Sequence, residues 1–340
     1  KLAGLTVKTS NLCSEITLPT GVDKDGRDRT AVCCLSSLNL EKYDEWKNDK
    51  NFIADTMRFL DNVLTDFIEK APEEFSDATY SALRERSVGL GVMGLHSFFQ
   101  QKMIPIESVM SKVWNKKIFE HIQKEVDQAS KDLAEERGAC PDAADYGIKE
   151  RFSNKTAIAP TASISIICGG TSPGVEPIAA NSYTHKTLSG SFNVRNRYLQ
   201  KILEKYSKND EETWSSITTN QGSVSHLEFL SKEEKDVFKT AFEIDQKWIV
   251  ELGADRTPHI SQAQSINVFV PADIHKKELH QIHFQAWKKG LKSLYYCRSK
   301  SIQRAENVND TKSTDVTDNV YKSNNNETNE TEYEECLSCQ

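Results

Sequence analysis

"SINVFVPADIHKKELHQIHFQAWKKGLKSLYYC" runs from Ser265 to Cys297 and carries three signals in a row. SINVFV (Ser265 to Val270) is β-branched and aromatic, the composition of a strand. A helix is expected from about Asp273 to Lys289, stopped by Gly290. LKSLYYC then resumes as a strand. Strand, helix and strand within about thirty residues make a βαβ unit, whose strands run parallel. An α/β fold follows.

The preceding chain fits that class. Phe52, Ile53, Met57, Leu60, Val63, Leu64 and Phe67 recur at helical spacing between Glu45 and Lys70. A charged helix is expected from about Ser108 to Glu136, closed by Gly138. Ser231 and Glu234 form a capping box ahead of a helix carrying Val237, Phe238, Phe242, Trp248 and Ile249. SVGLGVMGLHSFF (Ser87 to Phe99) predicts a tight turn leading into a buried helix. TAIAPTASISIICGGTSPGVEP predicts an apolar strand entering a small-residue loop.

From Ser299 the composition turns to Asn, Thr, Glu, Asp and Ser, with almost no large apolar residues. Such a segment cannot bury enough surface to offset its ordering entropy, so a disordered tail is expected. The chain therefore divides into a core, 1–298, and a tail, 299–340.

At 340 residues and net charge -7, a nucleic-acid surface is not expected. No apolar run reaches membrane-spanning length, and no signal-peptide pattern opens the chain. Eight cysteines without a dense framework suit a reducing, cytoplasmic setting. The sequons at Asn326 and Asn329 are read as chance matches. A first residue Lys1 and a chemical motif within ten residues suggest part of something larger.

That motif is TSNLCSEITLPTG, Thr9 to Gly21. Asn11, Cys13 and Glu15 fall at every second position, so a strand would point all three to one face. Spacing alone allows a solvated edge strand equally well. At the other end, Cys336 and Cys339 form a C-x-x-C pair. The tail offers no further thiol or imidazole for zinc, which favours a dithiol–disulfide couple. About forty flexible residues span about 35 Å, enough for these thiols to reach a buried site and return.

Cys33 and Cys34 follow a polar turn, and as neighbours on a strand they face opposite ways; alone they read as small buried hydrophobes. Tyr295 and Tyr296 read as core or interface aromatics. The loop Pro160, Thr161, Ala162, Ser163, Ile164, Ser165 is rich in N–H groups and hydroxyls, as phosphate loops are, but lacks the Walker lysine. His275, His280 and His283 share a helix without a carboxylate pattern to complete a metal site, so no metal is expected here.

In order, N-L-C-x-E, a cysteine before LSSLNL, PTAS leading to GVEP, YY and a terminal C-x-x-C resemble the C-terminal half of the large subunit of class I ribonucleotide reductase. The resemblance covers nearly the whole chain. It implies the second half of a ten-stranded α/β barrel with a central finger loop. It implies that Cys13 forms a thiyl radical that takes the 3′ hydrogen of a ribonucleoside diphosphate. Glu15 would be the general base for the 3′-OH, and Asn11 would support the substrate hydroxyls. Cys33 would be one of two thiols reducing C2′, with Cys34 its rival for the role.

By the same resemblance Tyr296 receives an electron hole from a radical-generating small subunit and Tyr295 passes it to Cys13. Residues 160–165 would cradle the diphosphate, with Thr161, Ser163 and Ser165 as hydroxyl donors. Cys336 and Cys339 would re-reduce the active-site disulfide, then be reduced by thioredoxin or glutaredoxin. The chain itself would hold no cofactor and would depend on a metal–tyrosyl radical, di-iron by expectation, in the small subunit. The family's N-terminal cone, specificity helices and second C2′-reducing cysteine are not recognisable, so a complementary N-terminal half and a large-subunit dimer are expected. Two rivals are a stand-alone thiol–disulfide exchanger, which leaves Asn11, Glu15 and the tyrosines idle, and a non-catalytic assembly chain.

Overall fold

The computed structural model describes residues 5–187 and 190–299. Val268–Val270 and Cys297–Ser299 pair in parallel, with the helix Lys276–Lys288 between them. The βαβ unit forms, with a first strand shorter than the expected 265–270 and a second that starts at Cys297, where the expected 291–297 strand ends. It is one end of a longer array. Leu35–Asn39 pairs in parallel with Gly89–Met93. Parallel bridges join Leu90 to Thr156 and Ile158 to Gln264. Tyr295 N–H donates to the Ile266 carbonyl at 2.8 Å, and Val268 N–H to the Tyr296 carbonyl at 2.9 Å. Five segments thus lie side by side in one direction, with helices in the crossovers, as half of a barrel requires.

Other elements differ from expectation as well. Residues 89–93 form a buried strand and not a turn. Their glycines serve close approach, because a Cβ on Gly91 would fall 2.2 Å from the Ala157 carbonyl oxygen. Residues 156–158 make only single bridges before Ala162–Ile167 turns helical. The capping box at Ser231 and Glu234 forms, yet its helix covers only Lys232–Val237. There the backbone is drawn aside: Asn181 Nδ2 donates to the Phe238 carbonyl, and Ala241 N–H to the Ile178 carbonyl. A second helix, Gln246–Arg256, starts afresh from the Asp245 cap.

The long helices follow the sequence closely. Phe52–Lys70 buries Ile53, Met57, Leu60 and Leu64. Val109–Arg137 is capped by Ser108, whose side chain accepts from Ser111 N–H, and ends at Gly138. Both pack onto the apolar cluster that also holds Leu38, Leu90, Val92 and Ile158 from the strands.

One buried carboxyl makes stability depend on pH. Glu85 lies 3.7 Å from Arg29, but Arg29 is already paired with Asp23 and Asp142. Burial pushes the Glu85 carboxyl up to about 7. A folded-state pKa above the unfolded one gives stability that is full at low pH and fades as pH rises through 7. Urea unfolding of wild type and Glu85→Gln should therefore agree near pH 4, with the variant more stable by about 2–3 kcal/mol at pH 8. A wild-type advantage at pH 8 would mean that attraction to Arg29 outweighs the burial cost.

Candidate active site

The NLCSE stretch is a turn and not the strand its alternation predicts. Ser14 N–H donates to the Asn11 carbonyl at 3.1 Å, and Ser14 takes φ 67°. Asn11 Oδ1 accepts from Ile16 N–H at 3.0 Å, so this short amide closes the loop on itself. That local bond competes with a ladder and wins. Leu12 is thrown outwards, 62% exposed, while Cys13 and Glu15 are buried.

The loop is held from below by residues far along the chain. Ser265 Oγ lies against both the Cys13 carbonyl and Glu15 Oε2, the latter at 3.0 Å. Ala263 N–H donates to the Glu15 carbonyl at 2.9 Å, and Ser293 Oγ to the Ser14 carbonyl at 2.9 Å. Thr17 N–H reaches Gln262 Oε1 at 3.2 Å. The fourth and fifth barrel segments thereby fix where the thiol and carboxylate sit. A finger loop within the half-barrel results.

Tyr295 joins this site. Its hydroxyl hydrogen-bonds with both Tyr296 and Cys13, and its ring lies 4.0 Å, centroid to centroid, from that of Tyr296. Burial chiefly, then these two bonds, push the Tyr295 phenol far above its usual range. It stays protonated at any physiological pH. Tyr296 is 45% exposed, so the pair runs from the surface to the buried thiol.

The phosphate-loop residues sit at the short helix Ala162–Ile167, after Thr161 at φ 57°. Hydroxyls expected to face a ligand are engaged within the protein. Thr161 Oγ1 accepts from Gly174 N–H at 2.6 Å and Ser165 Oγ donates to the Ala162 carbonyl at 2.9 Å. Ser165 is therefore no free donor, because its one proton is committed. Ser163 is exposed.

The family model described as "Ribonucleotide reductase, barrel domain" matches residues 2–150 and 142–297. The chain belongs to the ribonucleotide reductase barrel-domain family. The large subunit of ribonucleoside-diphosphate reductase from Invertebrate iridescent virus 6 is 53% identical over 300 residues, 87% of this chain and 31% of that protein. A putative large subunit from Frog virus 3 is 39% identical over 343 residues, covering all of this chain and 56% of that protein. Among solved structures, the Actinobacillus ureae class Id ribonucleotide reductase alpha subunit superposes with TM-score 0.80 at 39% identity, over 87% of this chain and 54% of that one. This chain thus spans from about a third to just over half of these relatives.

Within this ribonucleotide reductase barrel, the neighbouring thiols separate by exposure. Cys33 is exposed, whereas Cys34 is buried against the Leu60 carbonyl and burial pushes its thiol up to about 11. Cys34 takes the structural place and Cys33 keeps the accessible one. Cys336 and Cys339 lie outside the described residues. Among the described residues no group of His, Cys, Asp and Glu could hold a metal ion, and no helix is long and apolar enough to cross a membrane. His275 instead caps its helix by accepting from Lys277 N–H, and His280 stacks on Phe284.

Sequence reading missed Ser265, Ser293 and Gln262, which support the loop from about 250 residues away. No local pattern marks such a partner. It also passed over Glu176 of GVEP and Asn267 of SINVFV, which meet beside Tyr296.

Proposed function

We propose that this chain supplies the radical half of a ribonucleoside-diphosphate reductase. The observation carrying the reading is the continuous contact Tyr296–Tyr295–Cys13, with Cys13 and Glu15 both buried on the same loop. A phenoxyl radical at Tyr295 takes the hydrogen atom of the Cys13 S–H, giving the phenol and a thiyl radical. The thiyl radical takes the 3′ hydrogen of the substrate ribose, while Glu15 removes the 3′-OH proton. Cys33 and a second thiol, supplied from the rest of the large subunit, give two electrons and two protons as the 2′-OH leaves as water. The hydrogen then returns to C3′ and regenerates the radical.

The resulting disulfide is reduced by Cys336 and Cys339 through a mixed disulfide, and these in turn by thioredoxin or glutaredoxin. The initial radical arises at a metal site, di-iron by this reading, in a small subunit that docks over Tyr296. The diphosphate sits at the Pro160 to Ser165 turn. There the backbone N–H groups at the start of the helix would bind its oxygens. The described residues supply five parallel segments, half of the ten-stranded barrel that the resemblance implies, and the remaining strands would come from the rest of a large subunit.

Cys13→Ser tests this directly. Assembled with the remaining large-subunit strands, the small subunit and a dithiol reductant, the variant should lose nucleotide reduction to background, a fall of about 10³-fold or more. Thiol–disulfide exchange at the tail should persist. Nucleotide reduction surviving in Cys13→Ser would overturn the reading.

A further inference from the structure

Tyr296 makes a ladder contact that the backbone alone cannot complete. Its carbonyl accepts from Val268 N–H and Tyr295 N–H goes to the Ile266 carbonyl, but Tyr296 N–H goes to a side chain, Asn267 Oδ1, at 3.0 Å. Asn267 is buried, and its Nδ2 donates to Glu176 Oε2. A primary amide has one accepting end and one donating end. The carboxylate decides which way it faces: only with the NH2 turned to Glu176 does the oxygen meet the Tyr296 N–H.

The same carboxyl faces a charge. Arg298 lies two residues beyond Tyr296 on the strand, and its guanidinium sits 5.2 Å from the Tyr296 ring centroid. Glu176 feels this cation electrostatically, while burial pushes its carboxyl up to about 7. One carboxyl is therefore bonded to the amide that holds the Tyr296 peptide and lies in the field of the cation over the Tyr296 ring.

We propose that Glu176 is a positioning residue for Tyr296, acting through the Asn267 amide; the proposal rests on the reductase reading for its effect on turnover. Glu176 touches neither substrate nor the reacting thiol. It fixes the backbone at the surface end of the tyrosine pair, where ring spacing governs the hop to Tyr295. GVEP, which lies beyond the phosphate turn, acquires a role at the radical path.

Amide hydrogen exchange on the full large subunit, resolved at Tyr296 and Val268, tests this in wild type, Glu176→Ala and Glu176→Gln. In Glu176→Ala the Tyr296 amide should exchange about tenfold faster while Val268 keeps its protection. Glu176→Gln, which still offers an oxygen to Asn267, should restore Tyr296 protection. With the partner subunits present, Glu176→Ala should lower kcat about tenfold or more with nucleotide KM within about twofold. Unchanged Tyr296 exchange in Glu176→Ala, or loss of Tyr296 and Val268 protection together, would overturn the positioning role. If wild type itself reduces no nucleotide, the reductase reading falls, and the exchange data still decide the Glu176–Asn267 link.

Discussion

Replacing Tyr295 by phenylalanine should abolish nucleotide reduction, a loss of about 10³-fold or more, while leaving the fold within about 1 kcal/mol of wild type. The change removes one oxygen and keeps the ring that packs 4.0 Å from Tyr296. What disappears is the hydroxyl lying between the Tyr296 phenol and the Cys13 thiol. Burial holds that phenol protonated, so it cannot act as a phenolate that simply loses an electron. On the proposed path it gives up its hydroxyl hydrogen as well as an electron, and a phenyl ring has no such hydrogen. Turnover of the assembled enzyme, measured beside nucleotide binding, separates the outcomes. Binding retained with activity lost supports the path; activity within about tenfold of wild type would mean that the hole reaches Cys13 by another route.

The α/β class was legible because its signals are local. A β-branched run, a 3.6-residue period and a glycine stop each act within a few residues, and 265–297 contains all three. The finger loop's place near the start of the chain was legible, and its shape was not. Alternation at Asn11, Cys13 and Glu15 predicts a strand, whereas the Asn11 side chain turns back to Ile16 N–H and makes a turn. Cys13 and Glu15 still end up buried together, because Ser265 gathers them from across the barrel. The glycines of residues 89–94 were misread for a related reason. Gly91 answers to Ala157, 66 positions away, and only the assembled sheet shows why no side chain fits. The 160–165 turn shows the same limit: composition revealed hydroxyls, but not that Thr161 accepts from Gly174 N–H or that Ser165 donates to the Ala162 carbonyl.

The largest effect on stability should come from Asp61→Ala, expected to cost about 3–5 kcal/mol in urea unfolding. Asp61 is fully buried on the helix Phe52–Lys70 and receives three guanidinium groups. Arg86 Nε reaches Oδ1 at 2.8 Å, Arg151 Nε the same oxygen at 2.9 Å, and Arg137 Nη1 reaches Oδ2 at 2.8 Å. Burial by itself would push this carboxyl up, yet Arg151, Arg86 and Arg137 together hold it below the usual range. Its contribution is therefore present at neutral pH and lost as pH falls through the carboxylate range. The three cations come from different places: Arg86 ends one helix, Arg137 ends another, and Arg151 leads towards the 156–158 segment. Alanine would leave them crowded without a counter-charge, which costs more than the pairing itself contributes. Asp61→Asn keeps the shape and two polar ends but no charge, so it should fall between wild type and alanine. An alanine variant as stable as wild type would show that the arginines find water once Asp61 is gone, and that hydrophobic packing alone holds these helix ends to the barrel.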